Sequence, residues 1–195
     1  MTSCMADTKQ TKSIGEHHVC AMLARFDWAP ALRRDGLERT DILAVLIDGD
    51  RPMIEVQVKS IRGASDRASW PLGPKSQSPS LHNREWFVLV AIPTGPLERI
   101  RNFIVPRDHV AAAAWIEHMN WLTEPGIAPG QRNATVDRAR SRVSTFKGYE
   151  ERWDLLLAPT DKAPVLLPAG FRNLVEEDRV GLPPDHPWRD ALPAW

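Results

Sequence analysis

Hydrophobic positions recur along this chain with two different periods, and those periods divide it into elements. Val19, Met22, Leu23 and Phe26 follow one another at helical spacing, giving one apolar face up to about Trp28. Ser13-Ile14-Gly15-Glu16 ahead of them matches the S-x-x-E capping box. The pattern therefore predicts a helix that opens at Ser13 and is ended by Pro30. Ala31 to Arg34 reads as a short strand closed by the turn pair Asp35-Gly36. From Asp41 to Ile47 every position after the first is apolar, as in a strand covered on both faces. Asp48-Gly49-Asp50 supplies hairpin turn chemistry, and Met53 to Lys59 then alternates. Ile54, Val56 and Val58 face the core, and Glu55, Gln57 and Lys59 share the opposite face.

Beyond this hairpin the patterning is less regular. Residues 61–84 are rich in Ser, Pro, Gly and Arg and predict a long irregular loop, a type that is usually functional or mobile. Trp86 to Ile92 is a further apolar strand, stopped by Pro93-Thr94-Gly95-Pro96, with Asn102 to Val105 as its neighbour. Asp108 is placed to cap a helix carrying Val110, Ala114, Trp115, His118 and Trp121. The chain then turns polar and basic, with Arg132, Arg138, Arg140, Arg142 and Lys147 against Asp137 alone. Tyr149 to Leu157 reads as a short helix, and the proline-rich remainder as a tail. The expected organisation is a disordered arm over 1–12, one domain over 13–157, and a C-terminal tail over 158–195 packed on that domain.

Composition narrows the function classes. A chain of 195 residues supports one domain with a substantial core. With 25 basic and 25 acidic side chains the formal charge is zero, so binding to a polyanion has to come from local clustering. Two cysteines, Cys4 and Cys20, are too few for a disulfide framework and have no metal-ligand spacing. The first residues lack the apolar run of a signal peptide, and no apolar stretch approaches spanning length. A cytoplasmic protein is expected.

The chemistry sits on the hairpin. Asp41 lies at the mouth of one strand, and Gln57 and Lys59 emerge from one face of its partner. An Asp oxygen, the Gln amide oxygen and a nearby backbone carbonyl, that of Val58, make a hard-oxygen site suited to Mg²⁺, with Mn²⁺ as an alternative. Lys59 is placed to orient or help deprotonate an attacking water and to stabilise charge on phosphate oxygens. Glu16, in the first turn of the helix, can point at the same place.

Glu16, Thr40-Asp41-Ile42-Leu43 and Glu55-Val56-Gln57-Val58-Lys59 together resemble the PD-(D/E)xK nuclease superfamily, nearest to its Mrr-like branch, in which Gln replaces the second acid. The resemblance covers residues 13–60 well and reaches about Ile92 loosely. It implies an α/β fold with a restriction-endonuclease-like three-layer core, a mixed sheet of about five strands flanked by helices. It also implies Asp41 and Gln57 as metal ligands, Lys59 as the catalytic lysine, and Glu16 as an auxiliary acid. Two departures stand out: residues 61–84 lack a crossover helix, and Gln57 removes one charge, so that Glu55 on the same face is an alternative ligand.

The expected function is a Mg²⁺-dependent endonuclease hydrolysing DNA, with RNA as a second substrate class. Arg33, Arg34, Arg62, Arg67 and Lys75 flank the site in sequence and are the candidate nucleic-acid contacts, with the basic run up to Lys147 as a second surface. The zero net charge implies limited non-specific affinity, so binding is expected to draw on a homodimer, a partner subunit or a structured substrate. The rival reading is a catalytically inactive nuclease-fold module that serves as an interaction or nucleic-acid-binding subunit. Each signal also has a plainer meaning: Asp41 as a turn cap, Gln57 and Lys59 as a solvated strand face, Glu16 as half of a capping box, and His17 and His18 as surface residues. Most of the tryptophans read as core, with Trp70 set apart by its place in the long loop.

Overall fold

The structure, a computed structural model, describes residues 8–33, 38–128 and 130–195. Its first element is a helix, α1, over Thr8–Arg25, with Thr11, Gly15, Val19 and Leu23 buried along one stripe at i, i+4 spacing. The helix therefore starts ahead of the expected Ser13, and residues 8–12 belong to it rather than to an arm. Ser13 and Glu16 lie in its second and third turns, so they do not form a terminal capping box. The helix also stops earlier than expected. Trp28 opens strand β1, Trp28–Leu32, and Pro30 lies inside that strand instead of ending the helix.

Strands β2 (Ile42–Leu46), β3 (Met53–Arg62), β5 (Glu85–Ile92) and β6 (Arg101–Pro106) join β1 in one five-stranded mixed sheet. Its order is β1-β2-β3-β5-β6. The β2–β3 hairpin is antiparallel, with Ile42 opposite Val56 and Leu43 opposite Glu55. Gly49 at its turn has φ +66, a backbone conformation that glycine adopts without steric cost. Strands β3 and β5 run parallel, Gln57 facing Phe87 and Lys59 facing Leu89. A parallel pair needs a crossover, and residues 63–84 provide it. This segment is structured where the sequence suggested an irregular loop: it contains strand β4, Ser69–Pro71, and a single helical turn, α2, Pro74–Gln77. Part of the basic run, Arg140–Arg142, forms β7 and pairs with β4 in a second, two-stranded sheet. That pairing is long-range and leaves no mark in the local pattern.

Helices cover both faces of the main sheet. Val58 and Ser60 meet α1 at Gly15. Gln57 and Phe87, on the other face, meet Arg107 at the start of α3, Arg107–Leu122. The result is an α/β three-layer core, and β5 at its centre is buried at all eight positions. Asp108 does not cap α3. Its two carboxylate oxygens take the backbone N–H and the hydroxyl of Ser80, each at 2.7 Å, and so tie the crossover to the helix. Tyr149 to Leu157 is likewise no α-helix: one 3-10 turn ends at Tyr149 and another covers Trp153–Leu157.

Residues 158–195 are short turns and one helix, α4, Gly170–Val175. Val180 and Leu182 from this segment bury against Ala112 and Ile116 of α3. The Trp115 indole N–H donates to the Val180 carbonyl at 2.8 Å. His109 on α3 is sealed beneath the same segment beside the Tyr149 hydroxyl, at 2.7 Å, and burial with nearby His186 pushes its pKa down to about 3. No helix among the described residues is long and apolar enough to cross a membrane.

Gly15 sets the distance between α1 and β3. A Cβ added there would lie 1.8 Å from the Ser60 hydroxyl oxygen and 2.9 Å from its Cβ. Gly15→Ala is expected to destabilise the protein by about 1–3 kcal/mol through overpacking, despite alanine's better helix propensity. Adding Ser60→Gly should restore part of the loss. Thermal unfolding of the single and double variants measures both effects; a single variant as stable as the parent would show that the helix moves freely.

Candidate active site

The site grows out of the place where β2 begins and β3 runs on beyond it, paired there with β5. Asp41 is one residue before β2, and its backbone N–H still donates to the Val56 carbonyl at 2.9 Å. Its Oδ2 accepts the Val58 N–H at 2.8 Å, so the carboxylate takes the place that a further strand carbonyl would occupy. In an antiparallel ladder the N–H and C=O of one residue face the same neighbour. The Val58 carbonyl therefore emerges on the same side as the Asp41 carboxylate. Oδ1 of Asp41 faces the Lys12 ammonium at 3.8 Å, and the same ammonium lies 3.3 Å from Oε1 of Glu16. Two carboxylates from different elements thus converge on one cationic position, filled here by an amine. Lys12 is held above its ordinary pKa, chiefly by Glu16, with Asp41 adding to the effect against a smaller loss from burial.

Gln57 and Lys59 stand side by side on the next face of β3, roughly 7 Å apart by strand geometry. Gln57 is only 8% exposed. Its amide oxygen accepts from Nη2 of Arg107 at 2.8 Å. Lys59 forms neither a hydrogen bond nor an ion pair with any described residue, Glu55 included. Burial lowers its pKa, the Asp41 carboxylate pulls it back up, and Lys12, Arg107 and Lys75 lower it further. Three further cations therefore act on Lys59, with one anchored carboxylate to offset them.

A buried network sets this arrangement. Arg107, 1% exposed, forms an ion pair with Glu85 Oε2 at 2.6 Å through Nε. It also donates to the carbonyls of Arg39, at 3.1 Å, and Lys75, at 3.3 Å, and its guanidinium lies 4.6 Å from the centre of the Phe87 ring. Glu85 accepts in addition from Arg39 Nη2 at 3.1 Å and from the Leu81 N–H at 2.7 Å. Burial and nearby Arg39 hold Arg107 down at about 10, against the pull of Glu85. It remains protonated near neutral pH.

Glu55, the alternative acid, is engaged elsewhere. The Thr40 hydroxyl donates to one of its oxygens and His82 Nε2 lies 3.1 Å from the other. Burial raises its pKa, but these partners and the charges of His82 and Arg107 outweigh that and leave it below the usual range. Among the described residues there is no group of three His, Cys, Asp or Glu side chains placed to hold a metal. A hard cation with several waters needs only one or two carboxylates, and Asp41, Glu16 and the Val58 carbonyl suit that donor chemistry.

The flanking cations divide. Lys75 is exposed, 3.5 Å from Glu38, and close enough to act on Lys59. Arg62 reaches across to Thr11 of α1 at 3.4 Å. Arg67 is exposed in the turn after β3, next to Asp66, which pairs with Arg101 at 3.1 Å. Arg33 follows β1, its N–H donating to the Asp41 carbonyl at 2.9 Å, and Arg34 lies outside the described residues. In the basic run, Arg132 pairs with Glu124 at 2.6 Å, while Arg138, Arg140 and Arg142 line a cavity of about 540 Å³ against α3. His17 is exposed, with Nδ1 on the Ser13 carbonyl, whereas His18 is half-buried and lowered in pKa by that burial. Trp70 is core, its indole N–H donating to the Val90 carbonyl.

Lys12, Arg39, Glu85 and Arg107 are the site residues that sequence reasoning passed over. One signal was available: a charged residue immediately beside an apolar run, as Glu85 and Arg107 are, has to be paired once that run is buried.

No family model matches the chain, and no curated protein matches it. Among solved structures it is similar to a bacterial homing endonuclease, at 15% identity and a TM-score of 0.42, over 78% of this chain and 93% of that one. The functional reading therefore rests on this chain's own residues.

Since Asp41 raises the Lys59 pKa, Asp41→Asn is expected to lower it further. NMR titration of the lysine side chains checks this; an unchanged or higher value would separate the two residues. The folded state holds the Lys59 proton less readily than the unfolded chain does, so this group opposes folding while it is charged. That penalty is relieved as pH rises from the folded pKa towards the ordinary lysine value of 10.5.

Proposed function

We propose that this chain is a metal-dependent endonuclease that hydrolyses DNA phosphodiester bonds. The observation that carries the reading is the pairing of an anchored acid with a poised amine. Asp41 is fixed on the Val58 N–H beside Lys59, which has no partner among the described residues and lies among the positive fields of Lys12, Lys75 and Arg107. A solvated strand face does not need such a setting. The resemblance of Glu16, Asp41, Gln57 and Lys59 to the PD-(D/E)xK pattern, in its Mrr-like form, agrees with it.

In this reading Asp41, the Val58 carbonyl and Glu16 hold Mg²⁺ or Mn²⁺. The cation, when bound, neutralises charge on the phosphate and makes water a better nucleophile. Lys59 sits where it can bind a phosphate oxygen, and its lowered pKa brings it nearer to taking a proton from an attacking water. Arg107 and Glu85 are too buried to touch substrate; they position Gln57 and the strand ends. Lys75 near the site and Arg138 and Arg142 towards β7 supply phosphate contacts. A local cluster in a neutral chain implies binding that weakens steeply with salt.

One observation favours an inactive binding module. Lys12 already neutralises both carboxylates, at 3.3 and 3.8 Å, and a divalent ion has to displace it.

Plasmid, single-stranded DNA and RNA incubated with the full chain and Mg²⁺ or Mn²⁺ separate these readings. Cleavage of DNA is expected, abolished by chelator and reduced at least about a hundredfold by Lys59→Ala, with the circular dichroism spectrum unchanged. Equal cleavage by parent and variant would mark a contaminant and sink the enzyme. DNA binding without cleavage would establish the module.

A further inference from the structure

Gln57 stands in the chain where the resembled nuclease pattern has a metal-binding acid, but its surroundings fix which end of its amide faces the site. Arg107 donates to it through Nη2 at 2.8 Å. A guanidinium has five N–H donors and no acceptor, so only the amide oxygen can face it. The amide orientation is thereby settled by chemistry. Leaving that contact would strip an acceptor from a fully buried cation that is already costly to keep charged.

The opposite end of the amide is the NH₂ group. It donates to no described residue, yet it is not among the polar atoms sealed from solvent. A side chain more than nine-tenths buried therefore presents an unpartnered donor at the surface. Lys59, two residues along on the same strand face, presents another. Their separation, roughly 7 Å, brackets a tetrahedral anion group, and an amide donor and an ammonium together match the oxygens of a phosphodiester.

We propose that Gln57 is a phosphate-contacting donor, paired with Lys59 in a cradle for the nucleic-acid backbone, and that it does not ligate the metal. This rests on the nuclease reading above. Arg107 is the positioning residue that holds the amide in this sense. The cation then has Asp41 and Glu16 as its acidic ligands, and substitution of the second acid by Gln is a change of role rather than a loss of function.

The test separates ion binding from backbone binding in the full chain. Mn²⁺ binding to DNA-free protein is measured by calorimetry for the parent, Gln57→Ala and Asp41→Asn. A short fluorescein-labelled DNA duplex is titrated in chelator against the parent, Gln57→Ala and Gln57→Glu. Gln57→Glu keeps the Arg107 contact and the side-chain size while replacing the donor by an acceptor, so it remains informative if Gln57→Ala folds poorly. Gln57→Ala is expected to leave Mn²⁺ affinity unchanged while Asp41→Asn removes it, and both Gln57 variants are expected to weaken duplex binding about tenfold. Loss of Mn²⁺ binding in Gln57→Ala equal to that in Asp41→Asn would overturn the donor role and leave the nuclease reading standing. Unchanged duplex binding by Gln57→Glu would overturn it as well. Mn²⁺ binding indifferent to Asp41→Asn, in a protein that cleaves nothing, would instead bring down the nuclease reading.

Discussion

A buried guanidinium holds the site end of this sheet together. Arg107 enters at the junction of β6 and α3 and reaches the start of β5 through Glu85, β3 through Gln57, and the connecting segments through the carbonyls of Arg39 and Lys75. Taking a charge out of water is expensive, and the ion pair with Glu85 alone would return only part of that cost. The other contacts engage both terminal nitrogens. Such a network contributes little net stability compared with an apolar core, but it tolerates few alternative arrangements. Its value here lies in fixing the relative positions of three strands and a helix just where the polar residues emerge.

Arg107 also adds to the electrostatics of the exposed groups, behind burial and nearer charges. Lys59 is kept below its ordinary pKa by burial and by Lys12, Arg107 and Lys75, with Asp41 as the counterweight. The cations come from α1, β3, α2 and α3, which are far apart in the chain. Formal neutrality of the whole thus coexists with several positive fields acting on one lysine. Field strength at a site depends on which charges the fold brings together, and composition is silent on that.

The hairpin and its chemistry were legible in the sequence because both are local. Alternation from Met53 to Lys59 marks the face of Gln57 and Lys59, and the turn of Asp48, Gly49 and Asp50 marks an antiparallel hairpin. The ends of α1 were misread because the S-x-x-E pattern of Ser13 and Glu16 imitates a cap inside a helix that already begins at Thr8. Residues 61–84 were misread for a different reason. Strand β4 has three residues and exists through pairing with β7, some seventy positions away, so no local period reports it. Arg107 and Glu85 were missed because a charged residue beside an apolar strand looks like the solvated end of that strand until its burial is known. Lys12 fell in a segment taken for an arm.

Pro30 has a bearing on how copies of this protein meet. It lies within β1, which forms one margin of the main sheet, opposite Ala44 of β2. Proline offers no backbone donor, so an incoming strand from another molecule finds an interrupted ladder on that side. At the far margin the Glu151 N–H already donates to the Asn102 carbonyl of β6 at 2.8 Å, and Phe103 bridges to Glu150. Each margin therefore offers an incoming strand fewer free ladder groups than an open edge would. Self-association through side chains on the helical or loop surfaces meets no such interruption.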